Sequence, residues 1–149
     1  MRLTKLGAAL ALGALACGGG GDQQQQAQQT PAVEQPAGAV VDVRMTGTGT
    51  TAAFEPNAIT IAPGTTVRFH NVSGGPHNVA FWVDSIPVGA AAVLDAAMTG
   101  RTMSAMSSLM LTQPNETYDI SFANAPAGAY KTYCLPHLAM GMKLTITVQ

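Results

Sequence analysis

The sequence predicts an all-β fold: a Greek-key β-sandwich with one short helix in its longest excursion. Three observations lead there. Apolar residues recur at every second position in one segment after another, the period of a strand with one buried face. Turn residues such as Pro63-Gly64 and Pro126-Ala127-Gly128 separate those segments. Beyond residue 38, Ala90 to Ala97 is the stretch whose Ala and Leu content favours a helix.

The segments follow in order. Val41, Val43 and Met45 alternate with Asp42 and Arg44, and Ile59 and Ile61 flank Thr60. Val67 and Phe69 alternate with Thr66, Arg68 and His70. Val79 and Phe81 follow His77 on the same parity. Tyr118, Ile120 and Phe122 alternate with Thr117, Asp119 and Ser121, and Tyr130, Thr132 and Cys134 share one parity. Leu144, Ile146 and Val148 alternate with Lys143, Thr145 and Thr147. Short strands with one apolar face each pack as a sandwich.

The chain before this domain has a different character. Met1 to Lys5 is short and basic, and Leu6 to Ala16 is an apolar run of mostly Ala, Leu and Gly, too short for a stable membrane span. Residues 1–17 therefore predict an export signal ending at Ala14-Leu15-Ala16-Cys17, which resembles a bacterial lipobox. That resemblance implies lipid modification of Cys17, so that the mature chain is anchored to a membrane; simple cleavage nearby is the alternative. Ala14 stands where the motif usually carries Leu. Residues 18–38, with a Gly run, a Gln tract, Pro31 and Pro36, have little to bury and read as a disordered tether. The folded domain is residues 39–149, and the protein is expected at the periplasmic or outer face of the cell.

The 149 residues carry a net charge of −1 and only 10% charged side chains, which gives no case for nucleic acid as a partner. Two Cys are present, Cys17 and Cys134. With Cys17 lipid-modified, Cys134 is the lone thiol of an exported protein, and metal ligation accounts for it.

The metal chemistry centres on Tyr133-Cys134-Leu135-Pro136-His137-Leu138-Ala139-Met140-Gly141-Met142, which orders soft ligands as Cys-x2-His-x4-Met. Thiolate, imidazole and thioether suit copper, and a blue-copper centre adds a second His to complete a His2Cys set with a weak axial Met. A structural zinc site would favour four strong ligands without a thioether. Parity selects among the remaining His. His77 is in phase with Val79 and Phe81, whereas His70 is out of phase with Val67 and Phe69 and should face solvent beside Arg68. Met142 is in phase with Leu144, Ile146 and Val148. The expected ligands are His77, Cys134, His137 and Met142.

Gly74-Gly75-Pro76-His77-Asn78-Val79 and the Cys134–Met142 loop together resemble the cupredoxins, most similar to plastocyanin and pseudoazurin, over roughly the last three quarters of the chain, one small domain. The resemblance implies a type 1 copper protein, not an enzyme, that carries single electrons between a donor and an acceptor redox protein outside the cytoplasmic membrane. Copper oxidases need further His ligands, which His70 alone cannot supply. The resemblance also implies that Asn78 ties the two ligand loops, with Pro136 beside it. Many relatives carry Ser or Thr after the Cys, but this chain has Leu135, so only a backbone contact remains open to Asn78. Tyr133 matches a surface Tyr of plastocyanins. An uncharged docking patch is expected around His137, formed by Pro76, Leu138, Ala139 and Met140. A copper storage or delivery protein is the alternative function, and the Met98, Met103, Met106 and Met110 segment is the feature that would serve it. The bland reading of those Met residues is gap-filling.

Overall fold

The computed structural model describes residues 38–100 and 106–149. The expected export signal, Cys17, the expected tether through residue 37, and Met103 lie outside the described residues. Among the described residues no helix is long and apolar enough to cross a membrane.

Eight strands form two four-stranded sheets. They are β1 (Val40–Gly47), β2 (Ala52–Glu55), β3 (Ala58–Ile61), β4 (Thr66–Asn71), β5 (Ala80–Phe81), β6 (Thr117–Ser121), β7 (Gly128–Tyr133) and β8 (Lys143–Val148). The first sheet has the order β2-β1-β4-β6, the second β3-β8-β7-β5. The β1–β4 and β3–β8 pairs are parallel and the others antiparallel. The fold is thus the all-β sandwich that the alternation predicts.

Inward-facing residues of both sheets make one core. Val43, Met45, Phe54, Val67, Phe69 and Ile120 come from the first sheet, and Ile61, Tyr130, Leu144, Ile146 and Val148 from the second. Each such side chain contributes about 1.5–3 kcal/mol through burial. Aromatic edges meet ring faces at two places, Phe54–Phe69 at 5.9 Å and Phe122–Tyr130 at 5.3 Å between centroids. The outer face of the first sheet is polar. Arg68 and Asp119 are register partners on β4 and β6, and the guanidinium donates to both carboxylate oxygens at 2.9 and 2.8 Å. That pairing holds the Asp119 carboxyl below the usual carboxylate range. His70 lies on the same face, with Nε2 2.6 Å from Asp42 Oδ1.

The helix α1 spans Ala90–Ala97, as its composition predicts. Ala90 and Leu94 are its buried residues, and its last turn closes where the Met98 N–H donates to the Leu94 carbonyl at 2.8 Å. Met98 and Met106 are buried in the main core, at 2% and 5% exposure. Those two Met residues therefore fill space, as the bland reading has it.

One segment departs from the alternation. Residues 77–81 are all buried, and only Ala80–Phe81 qualifies as strand. The reason is a second neighbour. The segment pairs with β7 on one side and with residues 106–111 on the other, through bridges His77–Leu111 and Ala80–Ser107. Asn78 then turns its side chain toward polar partners within the protein and not to solvent.

The loop after β4 is stitched to the end of β1. The Val72 and Ser73 N–H groups both reach the Met45 carbonyl, at 2.9 and 3.4 Å, and the Gly47 N–H donates to Ser73 Oγ at 3.3 Å. Gly74 has φ +73°, and a Cβ there would sit 2.4 Å from the carbonyl carbon of Gly47. Close backbone approach therefore requires glycine at this position. Gly74→Ala should destabilise the domain by more than about 2 kcal/mol, since left-handed strain alone costs about 1–2 and the clash adds to it. The denaturant midpoint, compared with that of Gly38→Ala, checks this. Gly38 has a similar φ of +87° but open space around it, so it isolates the strain from the clash.

Candidate metal centre

The centre forms where two loops meet. The first joins β4 to β5 and carries His77. The second joins β7 to β8 and carries Cys134, His137 and Met142.

The second loop is set by the register of its strands. Tyr133 pairs with Lys143, so Cys134 and Met142 are the first residues beyond the ladder. Cys134 continues the inward parity of Tyr130 and Thr132, and Met142 that of Leu144, Ile146 and Val148; both are fully buried. The Cys134 N–H donates to the Met142 carbonyl at 3.1 Å and closes the loop. Inside it, the His137 N–H donates to the Cys134 carbonyl at 3.2 Å, and the Met142 N–H donates to the His137 carbonyl at 3.3 Å. Leu138–Met140 forms one 3-10 turn, which ends at Gly141 with φ +82°. That left-handed residue turns the chain back into β8.

His77 is held from both sides. Its N–H donates to the Leu111 carbonyl at 3.0 Å and its carbonyl accepts from the Leu111 N–H at 2.8 Å. Its ring Nε2 is 2.8 Å from the Ser73 carbonyl oxygen. A carbonyl can only accept, so Nε2 carries the proton and Nδ1 presents its lone pair. Burial pushes the His77 imidazole below its ordinary pKa, with His137 adding to the effect against the Ser73 hydrogen bond.

The lone pair points into a cluster. Cys134 Sγ is 3.7 Å from His77 Nδ1 and 3.5 Å from His137 Nδ1. The ligand atoms of His77, Cys134 and His137 all lie within 4.8 Å of one another. The two imidazole rings are 4.7 Å apart between centroids. Burial pushes the Cys134 thiol up, while backbone N–H groups of Asn78 and His137 favour the thiolate. His77 and Cys134 are buried and His137 is half-buried, so one imidazole reaches the surface. His70 takes no part, as its parity predicts.

Around the cluster, Asn78 ties the loops. Its Oδ1 accepts from the Leu135 N–H at 2.7 Å, the backbone contact that the sequence left open. Its own N–H donates to Cys134 Sγ at 3.5 Å, and its Nδ2 donates to Ser107 Oγ at 2.9 Å. Sequence reasoning missed Ser73 and Ser107. Neither carries a local signal, because one acts through its backbone carbonyl and the other comes from a distant segment. Pro136, Pro76, Ala139 and Met140 are exposed and Leu138 is half-buried. Leu135 is also exposed, at 40%. Tyr133 is half-buried on the outer face, with its ring 4.4 Å from that of Trp82.

The donor set fits copper: one cysteine sulfur and two imidazole nitrogens lie close together, with His77 and Cys134 buried. Comparison with known proteins agrees. The profile of copper binding proteins of the plastocyanin/azurin family matches residues 41–149. Plastocyanin from Scenedesmus fuscus is 41% identical over 96 residues, 64% of this chain and 86% of that one. Plastocyanin from Rumex obtusifolius is 33% identical over 109 residues, 73% of this chain and all of that one. The oxidised plastocyanin of Dryopteris crassirhizoma superposes with a TM-score of 0.55 at 27% identity, covering 73% of this chain and 100% of that one. The chain belongs to the plastocyanin/azurin family of copper-binding proteins, with a cupredoxin fold and one copper ion as its cofactor.

Proposed function

We propose that this protein carries single electrons between two redox proteins through a type 1 copper site held by His77, Cys134, His137 and Met142. The observation that carries the reading is the cluster of His77, Cys134 and His137 ligand atoms within 4.8 Å on a hydrogen-bonded scaffold. Copper, when bound, supplies a one-electron couple between Cu(I) and Cu(II).

The chain's own residues do the rest. Ser73 fixes the His77 tautomer, so that Nδ1 is the donor atom. Buried Cys134, His77 and Met142 keep water from the site. The closed loop holds its ligands in one arrangement whatever the charge on the site, so little protein rearranges with each electron. The three strong donors and a weak thioether leave no easy position for substrate, which favours a carrier over an enzyme. Purified domain should take up one copper and turn blue on oxidation. Cys134→Ala should abolish the intense visible band, and a variant that kept it would overturn the ligand assignment.

Met142 would complete the donor set as its weak fourth member in this reading, because it is buried where β8 meets the loop. Its neutral, weak thioether favours the reduced metal. Met142→Gln should lower the reduction potential, read by voltammetry, while copper stays bound. An unchanged potential would move the role to Met140, which is 45% exposed.

The electron is exchanged at His137. Its half-buried ring lies 4.7 Å from that of His77, next in sequence to exposed Pro76, and no Asp, Glu, Lys or Arg occurs in residues 71–83 or 132–142. An apolar rim lets a partner approach closely and exclude water, which suits the small interfaces of transient redox pairs. Asp84 and Asp95 are scattered, so charge steering is weak. Leu138→Lys should slow electron exchange with the physiological partner and leave the blue colour intact, and the rate should depend only shallowly on salt. A steep salt dependence with no effect of Leu138→Lys would place docking near Tyr133 and Lys131.

We further infer that the protein is exported and held to a bacterial membrane through lipid on Cys17, with residues 18–38 as tether. The basic start, the apolar run and the small residues before Cys17 support this. Mass spectrometry of the mature N-terminus should find an acylated Cys17; a free N-terminus beyond it refutes the anchor.

A further inference from the structure

We propose that Ser107 is a positioning residue for the metal centre: it locks the Asn78 carboxamide, and through it the hydrogen bonds to Leu135 and to the Cys134 sulfur. Its effect on the reduction potential rests on the copper reading above; its geometric part does not.

The Asn78 carboxamide sits between two partners of opposite demand. The Leu135 N–H can only donate, so the atom 2.7 Å from it is the oxygen Oδ1. The amino group Nδ2 therefore faces Ser107 Oγ, 2.9 Å away, which accepts. The Ser107 hydroxyl in turn donates to the Ser108 carbonyl at 3.5 Å. Asn78, Ser107 and Ser108 are all fully buried, so no solvent competes for these groups. Without Ser107, Nδ2 has lost its partner in a closed space, and the carboxamide is held only by the bond from the Leu135 N–H to Oδ1.

The placement of Ser107 depends on a strained residue. Met106 is buried with φ +62°, a backbone region that a side chain with Cβ rarely adopts. Its carbonyl accepts from the Phe81 N–H at 2.9 Å. The two serines that follow then lie against Asn78 and Val79 and divide the work. Ser108 Oγ accepts from the backbone N–H of Val79 at 2.9 Å, whereas Ser107 bonds the Asn78 side chain. Ser108 thus serves as a control of equal burial.

The electronic consequence follows from the Asn78 N–H, 3.5 Å from Cys134 Sγ. A donor aimed at a ligating sulfur draws electron density from it and favours the reduced metal. Holding Asn78 still keeps that donor on the sulfur.

Amide exchange by NMR in the wild-type domain, metal-free and with Cu(I), is the first test. The Leu135 N–H and one Asn78 Nδ2 proton should be protected. If both Nδ2 protons exchange at the rate of a free carboxamide, the proposal fails without any variant having to fold. In Ser107→Ala, Leu135 exchange should quicken about fivefold or more, the loss of one typical hydrogen bond, and the reduction potential should fall. Ser107→Thr should restore both. Ser108→Ala should lower the melting temperature and leave both readings unchanged. Wild-type values in Ser107→Ala, or equal shifts in Ser108→Ala, would reduce Ser107 to an ordinary buried polar group. A domain that takes up no copper would refute the copper reading, and the exchange experiment would still decide the role of Ser107. A blue domain with an unprotected Asn78 amide would refute the Ser107 role alone.

Discussion

The hydrogen bond from the Cys134 N–H to the Met142 carbonyl, 3.1 Å long, is the contact on which the metal centre most depends. It lies one residue pair beyond the β7–β8 ladder, which ends at Tyr133 and Lys143, and it closes the loop there. Because side chains alternate along a strand, the ends of β7 and β8 both deliver an inward-facing residue at this point. Those residues are Cys134 and Met142. The chain between them must cap the sandwich within a short loop, and the His137 backbone bonds to both ends of it. The loop register is therefore inherited from the sheet. A slip of one residue would send both sulfurs to the outer face.

Burial then gives the cluster its chemistry. A thiolate in apolar surroundings is costly, and so is an imidazolium. The fold pushes both toward neutral forms, the thiol up and the His77 ring down. Neutral imidazole is already the ligating form, whereas the thiol must give up its proton. A thiolate needs a nearby cation, and a soft metal ion held by Cys134, His77 and His137 would answer that need. The backbone N–H groups of Asn78 and His137 help in the same direction. Burial and ligation thus reinforce each other, because the environment that excludes water also makes an empty site unfavourable for the thiolate.

Much of this was legible in the sequence. Alternation located the sheet segments of the domain except β2, whose Ala52-Ala53-Phe54-Glu55 shows no apolar–polar period, and parity separated His77 from His70 without knowledge of the fold. The Ala-rich stretch gave α1 with its observed bounds. Parity was less informative over residues 77–81, where both faces are covered. A strand with neighbours on each side and a polar residue satisfied inside the protein no longer shows a solvent face in its composition. The partners there, Ser107 and Leu111, lie about thirty residues away in sequence and pair with it only because the chain returns after α1. No local pattern encodes that return. The Ser73 carbonyl is illegible for another reason: every residue has a carbonyl, and only the fold selects one.

The same distribution explains how charge is managed. Among the described residues, the Arg68–Asp119 ion pair and the His70–Asp42 contact sit on the outer face of the first sheet. That sheet supplies no ligand. The second sheet supplies the ligand loop, and its outer face carries Lys131 and Lys143, with the Lys143 ammonium 5.9 Å from the Trp82 ring. Between these regions the two loops that form the centre contain no ionised side chain besides the ligands. The field at the metal is thus set mainly by oriented backbone N–H groups, the Asn78 amide and the thiolate itself. These dipoles are fixed by the sandwich and shielded from salt, whereas surface charges would be screened within about 8 Å at physiological ionic strength. In the proposed carrier this arrangement would keep the potential insensitive to salt, because the groups nearest the ligand atoms are buried.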